Sequence, residues 1–131
     1  MKIACIQLDS VWQDAKANLQ ALEAYCDQLK QDSVDVVVLP ELFHSGFSMA
    51  TEKIQQDRTG LVYSTLSHLA KELGIYVIAG VALKSASNKA LNTALVFDRN
   101  GTEQACYIKN HSFSFANEDQ YYQASNQQVI F

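Results

Sequence analysis

An α/β fold built on a mixed sheet is the class this sequence predicts, and three observations predict it. Short apolar runs rich in β-branched residues alternate with longer segments whose apolar residues recur every three or four positions. The first three runs are each joined to the next through such a segment, which calls for crossover connections between neighbouring strands. The last two runs flank Arg99-Asn100-Gly101, a hairpin signal, so part of the sheet is antiparallel. A chain of 131 residues fits one domain, residues 1–131.

Taken in order, Lys2 to Leu8 reads as a first strand buried on both faces, with Cys5 a small core residue inside it. Asp14 is placed to cap a helix from about Ala15 to Lys30, whose core stripe is Ala15, Leu19, Leu22, Cys26 and Leu29. Residues 35–39 form a second buried strand, and Pro40, which has no amide hydrogen to give a ladder, ends it. Ala50 to Thr59 is polar and predicts a loop or one helical turn. A second amphipathic helix spans about Leu61 to Leu73, with Val62, Leu66, Leu69 and Leu73 buried, His68 on its wet side and Gly74 as the left-handed stop. Ile75 to Leu83 is a third strand in which Gly80 lets another backbone come close. Leu91 to Asp98 and Gln104 to Lys109 are the hairpin strands. Asn110 to Gln128 carries aromatics without any period, which predicts a functional loop rather than a disordered one.

One stretch concentrates chemistry. Glu41 stands just beyond the second strand, after Pro40, between apolar and aromatic neighbours and close to the flexible Gly46. Ligands bind at the carboxyl ends of strands in open α/β sheets, so a carboxylate there suits a general base. A solvated glutamate opening a short helix is the plainer alternative.

Charge and composition exclude other classes. A net charge of −4, with ten basic residues scattered along the chain, offers no patch for nucleic acid. No apolar segment approaches the length of a membrane span, and no secretory leader is recognisable after Met1. Three cysteines without paired spacing suit reduced thiols and a cytoplasmic setting. His44, His68 and His111 have no ligand-like spacing, so no metal is expected.

Three segments, in order, resemble the carbon–nitrogen hydrolase (nitrilase) superfamily. Leu39-Pro40-Glu41-Leu42-Phe43 with Ser45-Gly46-Phe47 is similar to the family's glutamate motif. Gly80, Asn92-Thr93-Ala94, Asp98 and Gly101 are similar to its strand-hairpin signature, and Tyr107-Ile108-Lys109-Asn110-His111-Ser112-Phe113 to its Tyr-x-Lys-x-His-Leu-Phe. Ala116-Asn117-Glu118 with Tyr121 or Tyr122 looks most like the omega-amidase branch. The chain departs from the pattern at Ser112, where the family has Leu, and at Ser125, where Gly is usual.

The resemblance implies a four-layer α-β-β-α sandwich, of which this chain is the N-terminal half, and hydrolysis of a small non-peptide amide without a cofactor. Glu41 is then the general base, Lys109 the oxyanion stabiliser and Glu118 the second glutamate. Phe43, Phe47, His111 and Phe115 are expected to line the substrate pocket, with His111 also holding the loop by hydrogen bonds. The family's nucleophilic cysteine corresponds to a position beyond Phe131, and Gln128 to Phe131 matches the start of the strand before it. None of Cys5, Cys26 and Cys106 maps onto that position. Cys106, three residues before Lys109, faces the other side of an ideal strand. The chain alone is therefore expected to be truncated before the nucleophile, inactive, and self-associating to cover its exposed sheet. A non-catalytic binding module, or specificity for a nitrile or carbamoyl amine, are the alternatives.

Overall fold

The computed structural model describes residues 1–131. Five strands form one sheet in chain order: β1 (Ile3–Cys5), β2 (Val36–Val38), β3 (Tyr76–Leu83), β4 (Leu91–Phe97) and β5 (Glu103–Ile108). The first three are mutually parallel and the last two antiparallel, as the order of strand, helix and hairpin signals predicts.

Helices α1 (Ala15–Glu23), α2 (Cys26–Gln31) and α4 (Leu61–Leu73) share one core with one face of the sheet. Leu19, Leu22 and Leu29 meet Val62, Leu66 and Leu69 over Val37, Val77, Ala79, Val81, Leu95 and Phe97. Asp14 caps α1 by accepting from the Ala17 amide at 3.0 Å. Gly74 ends α4 at φ 64°, a conformation that costs a glycine nothing. His68 lies on the wet side of α4, 3.5 Å from Glu72. The one-turn helix α3 (Thr51–Ile54) occupies the polar stretch, and α5 (Glu118–Tyr121) follows a single 3-10 turn at Ser114–Ala116. No helix is long and apolar enough to cross a membrane.

Four expectations need correction. The helix foreseen over Ala15–Lys30 is two, broken at the exposed Ala24 and Tyr25, where the Tyr25 amide bonds three residues back to Leu22. The first strand is shorter than Lys2–Leu8, and Cys5 is exposed rather than core, because β1 is an edge strand and Cys5 points away from the helices. Val36 and Val38 are only half-buried although β2 is an inner strand, because the face opposite the helices carries no complete second layer. Gln128 to Phe131 forms no strand, having no ladder partner. Of the four layers that the resemblance implies, these residues build one of helix and one of sheet.

The second face is covered at one end only. There Leu42, Ile54, Ala82, Ala90 and Tyr122 make a small core of their own, and the Tyr122 hydroxyl donates to the Ser48 carbonyl at 2.7 Å. The rest of that face, with Ile3, Val36, Val38, Ile78, Ala94 and Tyr107, is partly or fully open to solvent. The functional site lies where the covered end meets the open remainder.

Candidate active site

Pro40 stops the β2 ladder, whose last bond runs from the Leu39 amide to the Ile78 carbonyl at 2.8 Å. The chain then turns sharply. Leu42 takes φ 47°, a left-handed strain that a buried leucine keeps only when its surroundings enforce it. The turn is enforced from both sides. Amides of Ser45 and Gly46 donate to the Leu42 carbonyl, and the Phe43 amide donates to the Gly80 carbonyl at 3.2 Å. Gly80 has no side chain because none fits: a Cβ there would stand 2.5 Å from the Glu41 Cα. Asn18, buried on α1, gives its amide hydrogens to the Val11 carbonyl at 2.8 Å and the His44 carbonyl at 2.9 Å. The loop before α1 is thereby clamped onto the turn. Beneath it, the His44 Nε2 donates to the Ile54 carbonyl at 3.1 Å, and burial pushes the imidazole pKa down to about 4.

Glu41, Lys109 and Glu118 are far apart in sequence and meet at the carboxyl end of β2. Lys109 Nζ stands 2.7 Å from Glu41 Oε1 and 2.9 Å from Glu118 Oε2. The side chain of Glu118 is 1% exposed, that of Glu41 48%. The buried acid is fully engaged: the Phe113 amide donates to Oε2 at 2.6 Å and Asn92 Nδ2 to Oε1 at 2.7 Å. Burial works to raise the Glu118 pKa, but these donors and Lys109 prevail and hold it below the ordinary carboxylate range. Burial works to lower the Lys109 pKa, and the two carboxylates reverse that and raise it. Glu41 Oε1 receives two donors, Lys109 and, at 2.6 Å, Asn92 Nδ2, whereas no group of the chain bonds Oε2.

A cleft of about 250 Å³ runs from this cluster down the open sheet face past Val38, Ile78, Gly80, Ala94 and Tyr107. Beside it a wider hollow of about 480 Å³ is walled by Phe47, His111, Ser112 and Phe113, with Lys109 Nζ 5.2 Å from the centre of the Phe47 ring.

Of the pocket residues foreseen, Phe47 and His111 border the site, and two do not. Phe43 is fully buried in the helix-side core, because the sharp turn sends alternate side chains to opposite sides of the sheet. Phe115 is 92% exposed, with its ring centre 5.9 Å from that of Phe113. The His111 ring makes no hydrogen bond, so the loop is held otherwise: Glu118 binds the Phe113 amide, and the Tyr107 hydroxyl accepts from the Asn110 amide at 3.2 Å. Phe113 and Asn92 were legible only as letters of motifs; the spacing carried no sign that either touches the cluster. The cysteines stand elsewhere. Cys5, on the edge strand beside Val38, is not among the residues that line the cleft or the hollow. Cys26 packs on the helical layer, and Cys106 packs against the helix-side core, with burial raising its thiol pKa. No three side chains of metal-binding type gather anywhere.

Fold and cleft define a class: an α/β protein with an acid–amine–acid cluster at the carboxyl end of its strands. The chain belongs to the carbon–nitrogen hydrolase family, whose family model matches residues 2–129. It is 33% identical to omega-amidase YafV of Escherichia coli (strain K12) over 99% of this chain and 49% of that protein. To 2-oxoglutaramate amidase of Bacillus subtilis (strain 168) it is 28% identical over 98% of this chain and 50% of that one. The chain thus spans about half the length of the curated relatives it matches. Among solved structures, a CN-hydrolase superfamily protein from Xanthomonas campestris with an arsenic adduct in its active site superposes with a TM-score of 0.88. That pair is 30% identical and covers 97% of this chain and 47% of the other. NitN amidase from Neterenkonia sp. AN1, 20% identical over 97% of this chain and 50% of its own, superposes at 0.83 and shares the fold.

Proposed function

We propose that these residues supply the general base, the oxyanion stabiliser and the second glutamate of an omega-amidase-like hydrolase, acting in the cytoplasm on a small amide without a cofactor. The single observation that supports this reading is the convergence of Glu41, Glu118 and Lys109 on one cleft. Glu41 Oε2 takes the proton of an attacking thiol, and the thiolate sulfur bonds to the amide carbon. Lys109, held at fixed distance, faces the oxygen that becomes negative. As the intermediate collapses, the C–N bond breaks and Glu41 returns its proton to the departing nitrogen, leaving a thioester. Water then attacks the thioester carbon and gives a proton to Glu41. The C–S bond breaks, the acid leaves, and Glu41 returns that proton to the thiolate, which restores the thiol. Glu118 anchors Lys109 from beneath. The names of the relatives, omega-amidase and 2-oxoglutaramate amidase, favour an ω-amide of a small acid as substrate.

The thiol is the part that these residues do not bring to the cleft, since Cys5, Cys26 and Cys106 all lie away from it. The 131-residue chain therefore releases no ammonia by itself, and it associates with further copies through its open sheet face. A longer polypeptide carrying this sequence and a cysteine at the cleft does release it. Its Glu41→Gln variant loses activity by on the order of 10² to 10⁴. Ammonia release by the 131-residue chain, abolished by Glu41→Gln, would overturn the assignment of the nucleophile. Unchanged turnover of the longer polypeptide after Glu41→Gln would remove the enzyme reading. The second reading is a non-catalytic module, and a stable oligomer of the longer polypeptide that turns over no small ω-amide would support it.

A further inference from the structure

Asn92 is the one residue in contact with all three members of the cluster. Its carbonyl accepts from the Lys109 amide at 2.9 Å, which fixes where the lysine leaves β5. Its side-chain Nδ2 donates to Glu41 Oε1 at 2.6 Å and to Glu118 Oε1 at 2.7 Å, so both amide hydrogens are committed. The side chain is 4% exposed as part of its residue, and no water competes easily for those hydrogens. The orientation of the amide follows from chemistry, since the opposite flip would aim an oxygen at two carboxylates.

We propose that Asn92 is the positioning residue of this site, the neutral double donor that holds two carboxylates apart on one lysine and selects which oxygen of Glu41 is free to take a proton. Lys109 brings one positive charge to two acids, leaving the cluster short of charge by one. A second lysine would neutralise the base, and an aspartate would add a third negative group. A side-chain amide, as in asparagine or glutamine, offers two hydrogens and no charge, and so satisfies both acids and leaves Glu41 basic. Because Asn92 and Lys109 both bind Glu41 Oε1, Oε2 is left without a protein partner on a residue that lines the cleft. The Phe113 amide is what tells Glu118 apart from Glu41. Glu118 takes Asn92, Lys109 and the Phe113 amide together, and so serves as a fixed anchor. The meaning of this arrangement for catalysis rests on the reading under Proposed function, but the arrangement itself can be tested without turnover.

The test is an NMR titration of the 131-residue chain. In the unsubstituted protein the two Asn92 side-chain amide protons are expected well downfield, and to move with the titration of the Glu118 carboxyl carbon. In Asn92→Asp the Glu118 midpoint rises by about one pH unit or more and that of Lys109 rises with it. In Asn92→Ala the Glu118 midpoint rises because a donor to the charged form is lost. The backbone bond to the Lys109 amide survives in both variants, and thermal melting checks their folding. Asn92 amide protons that stay still while Glu118 titrates overturn the proposal even if neither variant folds. So do variants that melt earlier with Glu118 and Lys109 titrating as before, the outcome expected of a merely structural asparagine. Coupled titrations together with a longer polypeptide indifferent to Glu41→Gln would leave the proposal standing and remove the enzyme reading alone.

Discussion

His44 shows how a single buried side chain sets a pH limit on the turn that carries Glu41. Its Nε2 hydrogen satisfies the Ile54 carbonyl, and its Nδ1 is buried without a partner, so a second proton has nothing to bind. The folded pKa, about 4, lies below the ordinary 6.5. The unfolded chain therefore takes up the proton first as pH falls, and stability is lost between about 6.5 and 4. The loss approaches about 3 kcal/mol at the acid end. Glu118 adds to this from further down: its folded pKa lies below 4.5, so its contribution is present above 4.5 and fades as pH drops through the folded value. Urea midpoints measured from pH 7.5 to 4 should fall along this course. In a His44→Gln variant, which keeps a donor for Ile54, the part between 6.5 and 4.5 should flatten.

At the scale of elements, the site depends on how closely β3 approaches the turn after β2. Gly80 permits that approach, and the turn is further pinned by its amide and carbonyl contacts to Leu42, Phe43 and Asn18. Gly80→Ala puts a methyl 2.5 Å from both the Pro40 carbonyl oxygen and the Glu41 Cα. Backbone, not a pliable side chain, must move. We expect a loss of about 1–3 kcal/mol in chemical denaturation, with a lengthening of the Glu41–Lys109 contact visible as a change in the Lys109 ammonium titration. An unaltered midpoint and an unaltered lysine would show that the strands have slack. Gly74→Ala meets no neighbour at all, and its cost comes only from the left-handed φ of 64°.

For the whole molecule, the uneven cover of the sheet governs behaviour. One face buries a core of 19 residues under helices. The other leaves Val36, Val38, Ile78 and Ala94 half-open and Ile3 and Tyr107 exposed, with β1 and β5 as bare edges. Apolar surface and unpaired edges of this kind drive association. Light scattering should report species larger than 14.6 kDa, with a melting temperature that rises with protein concentration. Val36→Glu, remote from the cleft lining, should shift the population toward the monomer. A concentration-independent monomer that melts cooperatively would count against association through this face.

Periodicity and stop signals determined much of this protein in advance. Strand, helix and hairpin order, the span Leu61–Leu73, the cap at Asp14 and the stop at Gly74 are local properties, set by side-chain spacing and backbone freedom. Motif order likewise marked Glu41, Lys109 and Glu118 before any of them had a neighbour. Tertiary structure decided the rest, because it depends on which surfaces find cover. An apolar run such as Val36-Val37-Val38 reads alike whether one face or both are packed, so the half-open sheet and the exposed Cys5 were not legible. The sharp turn at Leu42 sent Phe43 into the core and left Phe47 at the cleft, although both are aromatic residues of one motif. The bridging amide of Asn92 joins β4 to the turn after β2 and to helix α5, a proximity that no spacing along a chain records.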